Sequence, residues 1–187
     1  MELYRIKELA IKSKRAVYTA QQLAGLVGKS RAVATVYSSR LVVKGLAKRL
    51  LRGYITFVDD DYVIASQLME PSYVSATSAL HFHGLMQQVP ARIECASTRN
   101  SRNYENLGIR YHRIPPSLFF GYERHAKGDS YILMADPEKA LIDAIYLNLI
   151  AEEAAREMLR KVDRKRIRAY LGRFSGRGKK KLARFYV

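Results

Sequence analysis

A single cysteine, Cys95, stands in the 187 residues, which excludes an internal disulfide and fits a reducing cytoplasm. It lies in the strand-like run RIECAS (92–97) with no metal-binding or nucleophilic partner nearby, so it reads as a small core residue. No apolar run approaches the ~20 residues of a membrane-spanning helix, and the polar opening MELYRIKELA is unlike a secretory signal. The expectation is a cytoplasmic protein that does not use a membrane. A Ser-His-Asp set, a phosphate-cradling glycine loop and a dinucleotide fingerprint are all lacking, and Gly25, Gly28 and Gly45 fall at turns and caps. Neither a cofactor nor a metal is expected. Asparagine is scarce in a charge-rich chain, a composition that agrees with a thermophilic source.

Acidic residues are the other shortage: 17 Asp and Glu face 33 Lys and Arg, for a net charge of +16. Residues 1–70 hold 12 basic and 6 acidic side chains, residues 71–155 hold 8 and 9, and residues 156–187 hold 13 and 2. A near-neutral middle between two basic ends argues for polyanion contact at both ends. A membrane surface is the minor alternative, with Tyr170, Leu171 and Phe174 as its apolar groups. The length and the 48% hydrophobic content allow one large core or two small ones.

The most legible stretch is Thr19 to Phe57. Thr19 can cap a helix over 20–27 that Gly28 ends in the left-handed conformation. Ser30 can cap a second helix, whose Val33, Val36, Tyr37 and Leu41 repeat at helical spacing and are expected to be buried. Gly45 stops it. Strand-like runs over 47–51 and 54–57 join at Arg52–Gly53, and the extended run 15–18 is expected to complete a three-stranded sheet. With a first helix over 2–13, this is the order of a winged helix-turn-helix. Arg31 and Thr35 are then the expected base readers, with Ser38 and Ser39 on the same outer face. Lys29 and Ser30 are placed for phosphate, and Lys48, Arg49 and Arg52 belong to the wing.

A helix over 62–69 leads to Glu70–Pro71, where the domain boundary is placed at about residue 70. The second part reads as a helix over 74–82 ending at Gly84, a strand over 91–96, a polar loop over 97–106 and a strand over 109–114. Strands over 118–122 and 131–135 flank a polar turn, 123–129. Asp136–Pro137–Glu138 then carries a cap, a proline at the first helical position and an acid at the positive helix end. Helices over 152–161 and 163–171 follow, then a flexible basic link, SGRGKKK (175–181), and an apolar end, LARFYV. In the tail, Arg164, Lys165, Arg168, Arg173, Arg177, Lys179, Lys180 and Lys181 are expected to touch nucleic-acid backbone. The fold class expected is α+β: a winged helix-turn-helix over 1–70, then a mixed α/β domain over 71–187 with a helical, basic tail over 156–187.

Asp136, Glu138 and Lys139 also offer the two carboxylates and lysine of a metal-dependent nuclease. Capping explains the same residues, so no catalysis is expected. His81 and His83, two apart, point to different sides of a helix and chelate poorly, and His112 and His125 are isolated.

The runs SATSALHFHGLMQQVPARIECAST (75–98), YHRIPPSLFFGYER (111–124) and ADPEKALIDAIYL (135–147) resemble the AbiEi family of antitoxins, regulators of type IV toxin–antitoxin and phage-defence operons. The likeness spans most of residues 15–150. It implies a repressor that binds repeated elements of double-stranded operator DNA through the winged helix. It also implies a nucleotidyltransferase-like toxin partner, neutralised without a stable complex, although an antitoxin that grips its toxin directly is the alternative. Ser78, His81, Gly84, Pro90, Asp136 and Glu138 are assigned to folding.

Overall fold

The computed structural model describes residues 3–186, the side chains of Arg177 and Tyr186 excepted. The fold is α+β with two sheets. It divides into two compact units: Met1–Leu68 with His125–Ile132, and Met69–Arg124 with Leu133–Val187.

In the first unit, α1 (Leu3–Lys12) precedes β1 (Val17–Thr19), α2 (Ala20–Val27), α3 (Arg31–Val43), β2 (Lys48–Leu51), β3 (Tyr54–Thr56) and α4 (Asp61–Leu68). The sheet has the order β1-β3-β2 and is antiparallel, with Val17 opposite Thr56 and Lys48 opposite the same residue. Its core unites Ile6 and Ala10 of α1, Leu23 and Val27 of α2, Ala34 and Leu41 of α3, and Tyr18 and Ile55 of the sheet. Such a set removes apolar surface from water at roughly 25 cal/mol per Å². The buried side chain of Gln67 on α4 accepts from Ala16 N at 2.8 Å and donates to Ser130 Oγ at 3.1 Å and Tyr131 O at 3.0 Å. Ser130 Oγ in turn donates to Lys14 O. This polar set explains why 125–132 joins a unit formed by residues far earlier in the chain.

In the second unit, β4 (Ser72–Val74), α5 (Ala76–Phe82), β5 (Ile93–Ser97), β6 (Arg102–Tyr104) and β7 (Ile109–Arg113) lead to β8 (Tyr122–Lys127) and β9 (Ser130–Ala135), the strands whose far ends belong to the first unit. Helices α6 (Pro137–Tyr146), α7 (Glu152–Met158), α8 (Arg164–Leu171) and α9 (Gly176–Tyr186) follow. The six-stranded mixed sheet runs β6-β7-β5-β4-β9-β8, with β5/β7 and β4/β9 parallel and β4/β5 and β6/β7 antiparallel. Helix α6 is buried at Ala140, Leu141, Ile142, Ala144 and Ile145 and packs against α5, α7, α8 and α9.

Several elements depart from the sequence expectation. Val74, expected to open the helix over 74–82, instead ends a fully buried strand, Ser72–Val74, and the helix begins at Ala76. Of the expected strand 118–122 only Tyr122 is in a strand, Leu118 ending a 3-10 turn (Pro116–Leu118), and the expected polar turn 123–129 is largely β8, an exposed edge strand. An edge strand wets most of its side chains and so loses the alternation that marks a half-buried strand. A short strand, β6, also interrupts the expected loop 97–106. All of the expected flexible link 175–181 except Ser175 lies in α9, because Leu182 is completely buried and draws this segment into a helix on α6. Residue 2, expected in the first helix, lies outside the described residues.

Candidate nucleic-acid interface

The turn between α2 and α3 is fastened from both sides. Thr19 Oγ1 accepts from Gln22 N at 3.2 Å while Gln22 Oε1 accepts from Thr19 N at 2.8 Å, a reciprocal cap for α2. Gly28 ends α2 at φ +63°, a left-handed conformation that glycine reaches without the Cβ penalty. Ser30 Oγ then accepts from Val33 N at 3.4 Å and caps α3. Its O–H remains available as a donor, and both Lys29 and Ser30 are exposed.

Helix α3 is rotated from the expected face. Ala34 and Leu41 are fully buried and Tyr37 and Ser38 half-buried, a stripe at i, i+3, i+4 and i+7. Val33 and Val36, expected inside, are 39% and 48% exposed. The reason is packing: the small side chain of Ala34 lets α2 and α3 approach closely, and two bulky valines on that side would hold them apart. The outer face of the first two turns is therefore Arg31, Ala32, Val33, Thr35 and Val36, with Ser39 and Arg40 beyond. Thr35 Oγ1 donates to Arg31 O at 2.9 Å and Ser39 Oγ to Thr35 O at 3.3 Å, so each keeps only acceptor capacity. Ser38 Oγ donates to Ala34 O, and Ser38, expected on the outer face, is half-buried. Val33 and Val36 are the groups that reasoning from apolar spacing hid.

In the β2–β3 ribbon, the register shifts between Arg49 and Leu51, a bulge of the kind that twists a ribbon. Gly53 turns it at φ +85°. Lys48, Arg49 and Arg52 are all exposed. Lys48 Nζ lies 2.7 Å from Asp59 Oδ2, a well-solvated pair, so Arg49 and Arg52 are the more available cations.

The tail residues fare unequally. Arg164, Lys165 and Arg168 on α8 and Lys179 and Lys180 on α9 are exposed. Arg173 lies over the Phe120 ring at 4.2 Å. Lys181, expected to contact nucleic-acid backbone, instead donates to Tyr146 O, the last carbonyl of α6, at 2.9 Å and to the side-chain oxygen of Asn148 just beyond it. Burial lowers its pKa. The Arg177 side chain lies outside the described residues.

The acidic cluster is taken up by the fold. Asp136 Oδ1 caps α6 by accepting from Lys139 N at 2.8 Å, and its Oδ2 accepts from Tyr170 and lies 3.1 Å from Arg166. Glu138 accepts from Asp163 N at 3.0 Å. Lys139, fully buried, pairs with Asp143, whose other oxygen accepts from Tyr73 at 3.0 Å and Ser75 at 2.7 Å. The lysine thus serves a different carboxylate from the two it was grouped with. Among the described residues no three His, Cys, Asp or Glu side chains are grouped to hold a metal. His81 faces Met86 O, His83 faces Ala135 O, and Ser78 Oγ bridges Arg92 O and Glu94 N. Burial pushes the Cys95 thiol well up. Among the described residues, no helix is long and apolar enough to cross a membrane. The chain matches no family model and no curated protein.

Proposed function

We propose that this chain is a sequence-specific, double-stranded DNA-binding transcriptional regulator with no catalytic role. Its first unit acts as a winged helix-turn-helix: α3 enters the major groove and the β2–β3 ribbon tracks the flanking backbone. The observation that carries this reading is the outer face of α3. A capped helix whose inner stripe is fully used presents a guanidinium and two valines, with no acidic side chain, on its first two turns. Arg31 suits the O6 and N7 acceptors of guanine, and Val33 and Val36 suit thymine methyls. Lys29, Ser30, Arg49 and Arg52 suit phosphates.

The resemblance of residues 75–147 to AbiEi antitoxins extends the proposal to a repressor of its own operon, cytoplasmic, with a nucleotidyltransferase-like toxin encoded beside it. The exposed cations of α8 and α9 add backbone affinity. Fluorescence anisotropy with DNA from upstream of the chain's own gene tests the reading. Arg31→Ala should cost about 1–3 kcal/mol on the specific site and much less on scrambled DNA. Equal affinity of the variant and the parent for both DNAs would refute it.

A further inference from the structure

The second unit holds an open cavity of about 570 Å³ that takes no part in the DNA reading. It lies where β5 and β7 meet the turn after α5 and the connection into α7, and its size falls in the range of small-molecule sites. Met86, Val89 and Leu149 supply apolar wall, while Arg92, Glu94 and Arg110 bring charge to it.

The charges are not balanced within the cavity. The parallel register of β5 and β7 sets Glu94 opposite Arg110, which makes that carboxylate the expected counter-ion. Glu94 is instead taken by His112, Nε2 to Oε2, with each side chain 12% exposed. Among the described residues, the guanidiniums of Arg92 and Arg110 have no hydrogen-bond or ion-pair partner. Ser78 Oγ, bonded to Arg92 O at 3.1 Å and Glu94 N at 2.9 Å, holds this stretch of backbone against α5. The cavity thus has an apolar wall, backbone fixed along its Arg92–Glu94 side, and two solvent-exposed guanidiniums among its lining residues.

We propose that this cavity binds a small organic anion. The fork geometry of Arg92 and Arg110 suits the oxygens of a phosphate or carboxylate head, and Met86, Val89 and Leu149 receive an apolar body. Because Glu94 is engaged by His112, such a ligand meets the two guanidiniums without competition from that carboxylate.

The test uses the full chain and the fluorescent probe 8-anilinonaphthalene-1-sulfonate, an aromatic body with an anionic head. Saturable binding at one site per chain is expected. Arg92→Gln and Arg110→Gln should each weaken it about tenfold or more, the loss of one charge-assisted contact. Ala154→Phe, which fills the cavity from α7, should abolish it. Because Arg92 and Arg110 are exposed, their variants keep the parental circular dichroism and decide the matter even if Ala154→Phe unfolds. Phenyl phosphate and benzoate, competitors with the same body and different heads, distinguish the two head groups. Parental probe affinity in the Arg92→Gln/Arg110→Gln double variant overturns the proposal. An equal loss in Lys179→Gln/Lys180→Gln also overturns it, because the probe then sits on the basic tail.

Discussion

Replacing Lys139 by methionine should remove about 3–5 kcal/mol of stability, although the two side chains are similar in length. Lys139 is fully buried and Asp143 1% exposed. The ammonium lies over the rings of Phe120 and Tyr73, at 5.0 and 5.5 Å. Without it, Asp143 remains an unpaired buried carboxylate held by two neutral hydroxyls, and breaking one side of such a pair costs about 3–5 kcal/mol. Asp143→Asn leaves the converse, a buried ammonium without its counter-charge, at similar cost. The double variant removes both charges, so its loss should fall short of the sum by at least ~2 kcal/mol. Urea unfolding followed by circular dichroism measures all four proteins, with an unchanged denaturant slope as the check that the midpoint reports stability. Additive losses, or a Lys139→Met cost below ~1 kcal/mol, would refute the view that this lysine is a structural charge in the core. A DNA-cleaving activity that vanished in Lys139→Met while stability held would point instead to the nuclease arrangement.

Two further outcomes follow from the same geometry. Arg52→Ala, at the exposed turn of the ribbon, should weaken specific and nonspecific DNA alike and reduce the slope of log affinity against log salt by about one; an unchanged slope would remove Arg52 from the interface. Burial, with the negative charge of Asp143, pushes the Tyr73 phenol well above its ordinary value, and burial with the hydrogen bond to Asp136 raises that of Tyr170. Raised values favour the neutral phenols, so this stability is complete below the ordinary phenol range near ~10 and is lost as pH rises through the higher folded values. In an alkaline titration, phenolate absorbance should therefore show a late fraction that coincides with unfolding and shrinks in Tyr73→Phe; simultaneous ionisation of all thirteen tyrosines in a folded chain would contradict it.

What the sequence determined alone was local. The Thr19–Gln22 cap, the Ser30 cap, the left-handed Gly28 and the Asp136–Pro137 helix start all rest on residues within four positions of each other, and such short-range bonds form wherever the chain allows them. The uneven spread of charge was equally plain. Tertiary structure alone decided the rest. Spacing permitted two inner stripes on α3, and the close approach of α2 chose the one through Ala34, turning Val33 and Val36 outward. A polar edge strand at Tyr122–Lys127 and a helix through the glycine- and lysine-rich 176–181 were invisible because their partners lie elsewhere in the chain: a neighbouring strand for one, the α6 surface that buries Leu182 for the other. The same holds for charge. Asp136, Glu138 and Lys139 stand together in sequence, but Tyr170, Asp163 and Asp143 divide them. Glu94 stands opposite Arg110 in the register, but His112 takes it, because a buried charge goes to whichever partner the packed chain brings within hydrogen-bonding distance.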